Sequence, residues 1–226
     1  MIKKMKSKVF FLSTILLLLT VAAYPQIKIG VLGGVNFQNI NGKDYQGDKL
    51  DHGLTLGFHA GANVNIPIAQ DFYLQPGLLF TIKGSQNWGN GMTGTGDYTT
   101  KTKISYIELP INLLYRAQVG EGYILLGFGP YLAYGIGGNE TTGDDKRPIK
   151  FKYQVRSLTE LQDNAYYRAF DAGANIFFGY EIPAGIFLQL NTQLGLVEFQ
   201  PTYDWMPDTE ASYKNTGFGL SVGYRF

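Results

Sequence analysis

The sequence predicts an all-β fold, an eight-stranded antiparallel up-and-down barrel that crosses a membrane. Three observations carry that prediction. Apolar and polar residues alternate with period two through eight segments, the pattern of strands with two unlike faces. Tight turns and long polar segments alternate between those strands. Charge is sparse, with Asp, Glu, Lys and Arg making 16% of 226 residues, where a soluble domain carries ~25%. The 29 Gly and the 15% aromatic content point the same way, towards turns and β-structure. There is no Cys, which excludes disulfides, thiolate metal sites, Cys nucleophiles and lipid attachment through an N-terminal Cys. The formal charge of +1 gives no basis for nucleic-acid binding.

The N-terminus reads as an export leader spanning residues 1–23. Lys3, Lys4, Lys6 and Lys8 form a positive region, Val9 to Leu19 an apolar one, and Val21-Ala22-Ala23 a small-residue cleavage site. The apolar stretch is short for a hydrocarbon core of ~30 Å. Residues 24–226 then form one barrel domain, with no repeat, linker or charge run to divide it.

Each strand follows from its alternation. Ile29, Val31, Val35 and Phe37 oppose Lys28, Gly30, Gly34 and Asn36. Leu54, Leu56, Phe58, Ala60, Ala62, Val64 and Ile66 oppose Thr55, Gly57, His59, Gly61, Asn63 and Asn65. Leu74, Leu78, Phe80 and Ile82 oppose Gln75, Gly77, Thr81 and Lys83; Ile107, Leu109, Ile111, Leu113 and Tyr115 oppose Tyr106, Glu108, Asn112 and Arg116. Ile124, Leu126, Phe128, Leu132 and Tyr134 oppose Gly127, Gly129, Tyr131 and Ala133. Ala172, Ala174, Ile176, Phe178 and Tyr180 oppose Asp171, Gly173, Asn175, Gly179 and Glu181. Ile186, Leu188, Leu190 and Leu194 oppose Gln189, Asn191, Gln193 and Gly195, and Phe218, Leu220, Val222, Tyr224 and Phe226 oppose Gly217, Gly219, Ser221, Gly223 and Arg225.

Segments 38–53, 85–102, 138–166 and 198–214 are long, polar connections, while Ala69-Gln70-Asp71, Gln118 to Gly122 and Pro183-Ala184-Gly185 are tight turns. Strict alternation of short and long connections gathers every long loop at one rim, as membrane barrels do. The polar faces decide which side is inside. They are mostly Gly, Asn, Gln, Thr and Ser, whereas a water-facing surface is about 25–35% charged. Small uncharged residues suit the narrow interior of eight strands. The apolar faces carry no charge through their central stretches, as lipid requires. Tyr115, Tyr180, Tyr224 and Phe226 near the short turns, and Phe37, Phe80, Tyr134 and Phe170 near the long segments, form two interfacial girdles.

The last strand, Gly219-Leu220-Ser221-Val222-Gly223-Tyr224-Arg225-Phe226, resembles the C-terminal assembly signal of Gram-negative outer-membrane barrels, with Leu220, Val222, Tyr224 and Phe226 carrying it. More widely, the chain resembles the PorT-like family of outer-membrane β-barrel domains. The resemblance rests on Gly30-Val31-Leu32-Gly33-Gly34-Val35-Asn36-Phe37, Leu74-Gln75-Pro76 with Leu78-Leu79-Phe80, Tyr106-Ile107-Glu108-Leu109-Pro110 and Gly127-Phe128-Gly129-Pro130-Tyr131. Gly77 departs from it, standing where the family leads one to expect Glu. The resemblance implies location in the outer membrane of a Gram-negative bacterium, short periplasmic turns and long extracellular loops. Through its namesake it also implies a link to protein secretion.

Chemical motifs are thin. His52 and His59 are the only imidazoles, and a lipid-modifying barrel enzyme needs Ser and His close together with a carboxylate orienting the ring. Parity places Ser105 on the lipid face and His59 in the lumen, while His52 in the first long segment is within reach of Ser85 or Ser212. Gly33-Gly34 and Gly127-x-Gly129 precede no helix and are not phosphate loops. Asp144-Asp145 beside Lys146-Arg147 lacks the spacing of a cation site. No catalytic, metal or cofactor residue is assigned.

Parity instead gathers Lys28, His59, Lys83, Glu108, Arg116, Asp171, Glu181 and Arg225 in the lumen as a polar plug, since buried charges persist only when paired or hydrated. The predicted function is that of a monomeric, non-enzymatic barrel acting as a structural or interaction protein. Its partners would be outer-membrane lipid, the barrel assembly machinery and a protein at the loop rim. The rival readings are a small, porin-like pore and a lipid-modifying enzyme.

Overall fold

A computed structural model describes residues 27–44, 46–90, 97–205 and 210–226; the predicted leader lies outside them. The strands are β1 (Lys28–Lys43), β2 (His52–Gly53), β3 (Thr55–Ala69), β4 (Phe72–Asn90), β5 (Asp97–Val119), β6 (Gly122–Thr142), β7 (Asp145–Phe151), β8 (Gln154–Val155), β9 (Ala165–Tyr167), β10 (Phe170–Glu181), β11 (Ile186–Gly195), β12 (Thr202–Tyr203) and β13 (Ser212–Arg225).

Eight of these are staves, each hydrogen-bonded to its neighbour in the order β10-β11-β13-β1-β3-β4-β5-β6, and pairing of β6 with β10 closes the ring. Every stave pairing is antiparallel. Closure leaves no sheet edge among the staves, which a bilayer demands because lipid cannot satisfy a free backbone N–H or C=O.

The three predicted short turns link β3 to β4, β5 to β6 and β10 to β11. Their sharp reversals need a left-handed backbone, found at Asp71 (φ 61°) and Gly120 (φ 65°). Asp tolerates that region and Gly enters it freely.

The alternation lands as predicted. Val31, Leu56, Phe58, Leu78, Phe128, Ile176, Leu190 and Val222 are all more than two-fifths exposed on the outer wall. Their lumen-facing neighbours Asn36, Thr81, Glu108, Asn175 and Ser221 are buried. An exposed belt of this extent on a closed barrel is a lipid face.

The long segments are more ordered than a reading as loops predicts. β4, β5 and β6 run well past the aromatic girdle into segments 85–102 and 138–166. Segment 138–166 continues as β7, which pairs with β6, and as β9, which lies parallel to β7. β8 pairs in parallel with β12 from the last long segment. These pieces fold inward. Ile149, Ala165, Tyr167 and Phe199 pack with Ile40, Ile104, Tyr106 and Tyr131 as one apolar cluster across the mouth.

Candidate functional site

The lumen is filled in layers, and each layer is set by which residues parity turns inward. Beneath the apolar lid lies the first charged cluster. Lys83 Nζ on β4 sits 2.7 Å from Glu108 Oε2 on β5 and 3.2 Å from Asp171 Oδ2 on β10. The ammonium also lies 3.9 Å from the centre of the Tyr131 ring, a cation–π contact. Gln193 Nε2 donates to Glu108 Oε1 at 2.6 Å and Asn215 Nδ2 to Asp171 Oδ2 at 3.0 Å. Two carboxylates thus share one ammonium and two amides in a dry setting.

Below it lies a chamber of about 60 Å³ bordered by Asn36, His59, Gln75, Asn112, Asn191 and Ser221. Its hydrogen bonds determine the imidazole tautomer. Asn36 Nδ2 donates to Thr81 Oγ1 at 3.0 Å, so its Oδ1 faces His59 Nδ1 at 2.6 Å. We therefore assign the proton to Nδ1. His59 Nε2 then accepts from the Ser221 hydroxyl at 2.7 Å, while Ser221 Oγ accepts from Asn191 Nδ2 at 2.9 Å.

This Ser–His contact is one that the sequence reading missed. Parity put both residues in the lumen, but they are far apart in the chain, and the register of β3, β1 and β13 is what joins them. A hydroxyl held on an imidazole has the form of an activated nucleophile. Here, however, Ser221 is fully buried, and the adjoining space is sized for a few waters rather than a lipid. The contact completes a hydrogen-bond chain running from Thr81 through Asn36, His59 and Ser221 to Asn191.

The next layer is apolar: Leu114, Leu125, Phe177 and Phe187 form a second buried cluster. Glycines on neighbouring staves make room for its rings. A Cβ on Gly127 would meet Phe177 Cζ at 2.1 Å, and one on Gly223 would meet Phe187 Cζ at 2.2 Å. The polar plug expected from the sequence is interrupted here by an apolar layer. An eight-stranded interior is narrow enough for two phenyl rings to help fill it.

The innermost layer brings Arg116, Glu181 and Arg225 together. Arg116 Nη2 lies 2.7 Å from Glu181 Oε1 and Arg225 Nε 2.8 Å from Glu181 Oε2. The structure therefore joins the sequence-derived residues in two separate clusters plus the His59 chamber. Lys28 joins neither cluster: it is exposed at the short-turn rim, because its strand begins there.

The extracellular cap holds the rest. Tyr166 and Tyr167 are buried beneath it, whereas Tyr153 and Leu158 are 70% and 64% exposed. Glu140 pairs with Arg147 at 2.5 Å. Glu160 accepts from Lys152 and from the Arg156 N–H, which holds its carboxyl below the usual carboxylate range. His52 Nδ1 does come within 3.3 Å of Ser85 Oγ, and burial pushes its imidazole pKa down against the opposing effect of Asp51. Among the described residues, no three His, Asp or Glu side chains are grouped to hold a metal ion.

A closed antiparallel ring with an apolar outer wall and a filled interior defines the class: a transmembrane β-barrel of the Gram-negative outer membrane. Residues 24–199 match the outer membrane protein beta-barrel domain family, and the chain belongs to that family. No curated protein matches it. Among solved structures it is similar to Ail, the attachment invasion locus protein of Yersinia pestis, at 10% identity and a TM-score of 0.37, covering 88% of this chain and 98% of that one. A second structure of Ail, in complex with the heparin analogue sucrose octasulfate, gives 13% identity and a TM-score of 0.37, covering 88% and 99%.

Proposed function

We propose that this protein is a monomeric, non-enzymatic barrel that passes no solute and acts through its extracellular cap as a structural or interaction protein. The observation carrying this reading is the stacking of two apolar and two charged layers across the lumen. Such filling suits a scaffold better than a conduit. Rigid barrels hold their loops in place, and loops so held tend to carry binding. Exposed Tyr153 stands beside Arg168, whose guanidinium carbon lies 5.6 Å from its ring centre, and Tyr with Arg is a common pairing at contact surfaces. The likeness to the PorT-like family supports a cap that serves a secretion-linked complex. Outer-membrane lipid and the assembly machinery are the remaining partners of this reading.

Trimming residues 140–163 to a short turn tests it. The shortened barrel should still insert and keep its heat-modifiable gel mobility, while losing the phenotype of a full deletion. Full complementation by the trimmed chain would move the function to the wall or lumen. Stepwise conductance of the intact protein in planar bilayers would favour the pore instead.

A further inference from the structure

The innermost charged layer is unbalanced. Arg116 on β5 and Arg225 on β13 are 6% and 5% exposed, and they share the single carboxylate of Glu181. Both oxygens of that carboxylate are engaged: Oε1 by Arg116 Nη2, and Oε2 by Arg225 Nε at 2.8 Å and Arg116 Nε at 3.4 Å. Arg225 Nη1 turns to Asn63 Oδ1 at 3.3 Å. These contacts use Nε and Nη2 of Arg116 and Nε and Nη1 of Arg225. Buried guanidinium groups are normally matched by carboxylates, because an uncompensated charge away from water is strongly disfavoured.

Both guanidinium groups border a recess of about 290 Å³ at the short-turn end, with Lys28, Glu121 and Tyr123 also on its wall and Pro183 of the β10–β11 turn closing one side. Its charged side chains are Lys28, Arg116 and Arg225 against Glu121 and Glu181, leaving one positive charge in excess. The Arg116 guanidinium is stacked 3.3 Å from the Tyr123 ring centre, which holds its fork in place. The outer cluster has the opposite imbalance, with one ammonium for two carboxylates. An anion is therefore favoured at the inner mouth.

We propose that this recess binds an oxyanion, a carboxylate or phosphate group presented from the periplasmic side, through the guanidinium groups of Arg116 and Arg225 that line it, with Lys28 at the rim. Planar guanidinium forks pair with such groups bidentately and bind spherical anions less well. Binding there would tie the barrel to an anionic molecule of the periplasm independently of the extracellular cap.

The test uses the protein refolded in zwitterionic detergent, with arginine side-chain Nε–H resonances followed by NMR. Sodium phosphate, sodium acetate and sodium chloride are titrated at constant ionic strength. The expected result is saturable movement of the Arg116 and Arg225 resonances with phosphate or acetate but not with chloride. The stronger of the two anions identifies the source chemistry. Lys28→Gln, an exposed rim change that leaves the fold intact, should weaken binding about two- to fivefold, the worth of an exposed ion pair. Glu181→Gln, which removes the internal competitor, should tighten it. Identical responses to all three salts, or unchanged phosphate and acetate binding in Lys28→Gln, would overturn the proposal.

Discussion

Lys83 Nζ and Glu108 Oε2 lie 2.7 Å apart with their side chains 0% and 1% exposed, so this ion pair is sealed inside the barrel. The charged atoms come from adjacent staves, and Asp171 reaches them from β10, which lies beyond β6 in the ring. Such a contact ties staves that are not neighbours in the ring together, which backbone hydrogen bonds between adjacent strands do not do.

Removing the shared cation leaves Glu108 and Asp171 facing each other with no counter-charge. Breaking a buried pair in this way costs about 3–5 kcal/mol. Lys83→Met is therefore expected to be destabilised by that amount in urea unfolding from lipid vesicles. A change below ~1 kcal/mol would mean that water reaches the cluster and screens it.

Adjacent positions on β11 separate the two faces. Leu190 is 61% exposed on the outer wall and Gln189 is 9% exposed in the lumen. Leu190→Arg should cost ~2–4 kcal/mol if it sits near the bilayer midplane, and Gln189→Arg should cost less because it enters a polar lumen. Vesicle unfolding that ranks the two variants the other way round would reverse the assignment of faces.

The terminal strand presents Leu220, Val222, Tyr224 and Phe226 on the outer wall, with Phe226 70% exposed and its ring edge-on to Tyr224 at 4.9 Å. Deleting Phe226, or changing Tyr224→Asp, is expected to stall assembly and leave the chain in the periplasm. Normal outer-membrane yield of both variants in fractionated cells would show that insertion does not depend on this pattern.

Ser221 is held between His59 and Asn191 without exposed surface. A fluorophosphonate probe should leave it unmodified in native membranes, as judged by mass spectrometry of the labelled chain. Labelling of Ser221 that disappears in His59→Gln would identify a nucleophile and reopen the enzyme reading.

Strand number, strand direction and the lipid-facing set were legible in the sequence because they follow from a two-residue period, which is a local property of the backbone. Val31, Phe128 and Leu190 show their orientation within a few neighbouring residues. The lumen charges were legible too, since Lys83, Glu108, Asp171, Arg116, Glu181 and Arg225 each lie on the polar side of a strand. Their partners were not. Parity says that a side chain points inward, but not how far along the axis it lies, and that height depends on the stagger between strands.

Only the tertiary structure decided that these charges divide into an outer cluster with excess negative charge and an inner one with excess positive charge. It also decided that His59 meets Ser221, and that Phe177 and Phe187 fill the space left by Gly127 and Gly223. The same holds for segment 138–166, which in the sequence is a long polar connection. Ile149, Ala165 and Tyr167 lack a long alternating run, yet they pack with Phe199 from another loop because closure of the ring brings both segments over one mouth. The sequence by itself determined the wall; the stagger of a closed barrel determined what fills it.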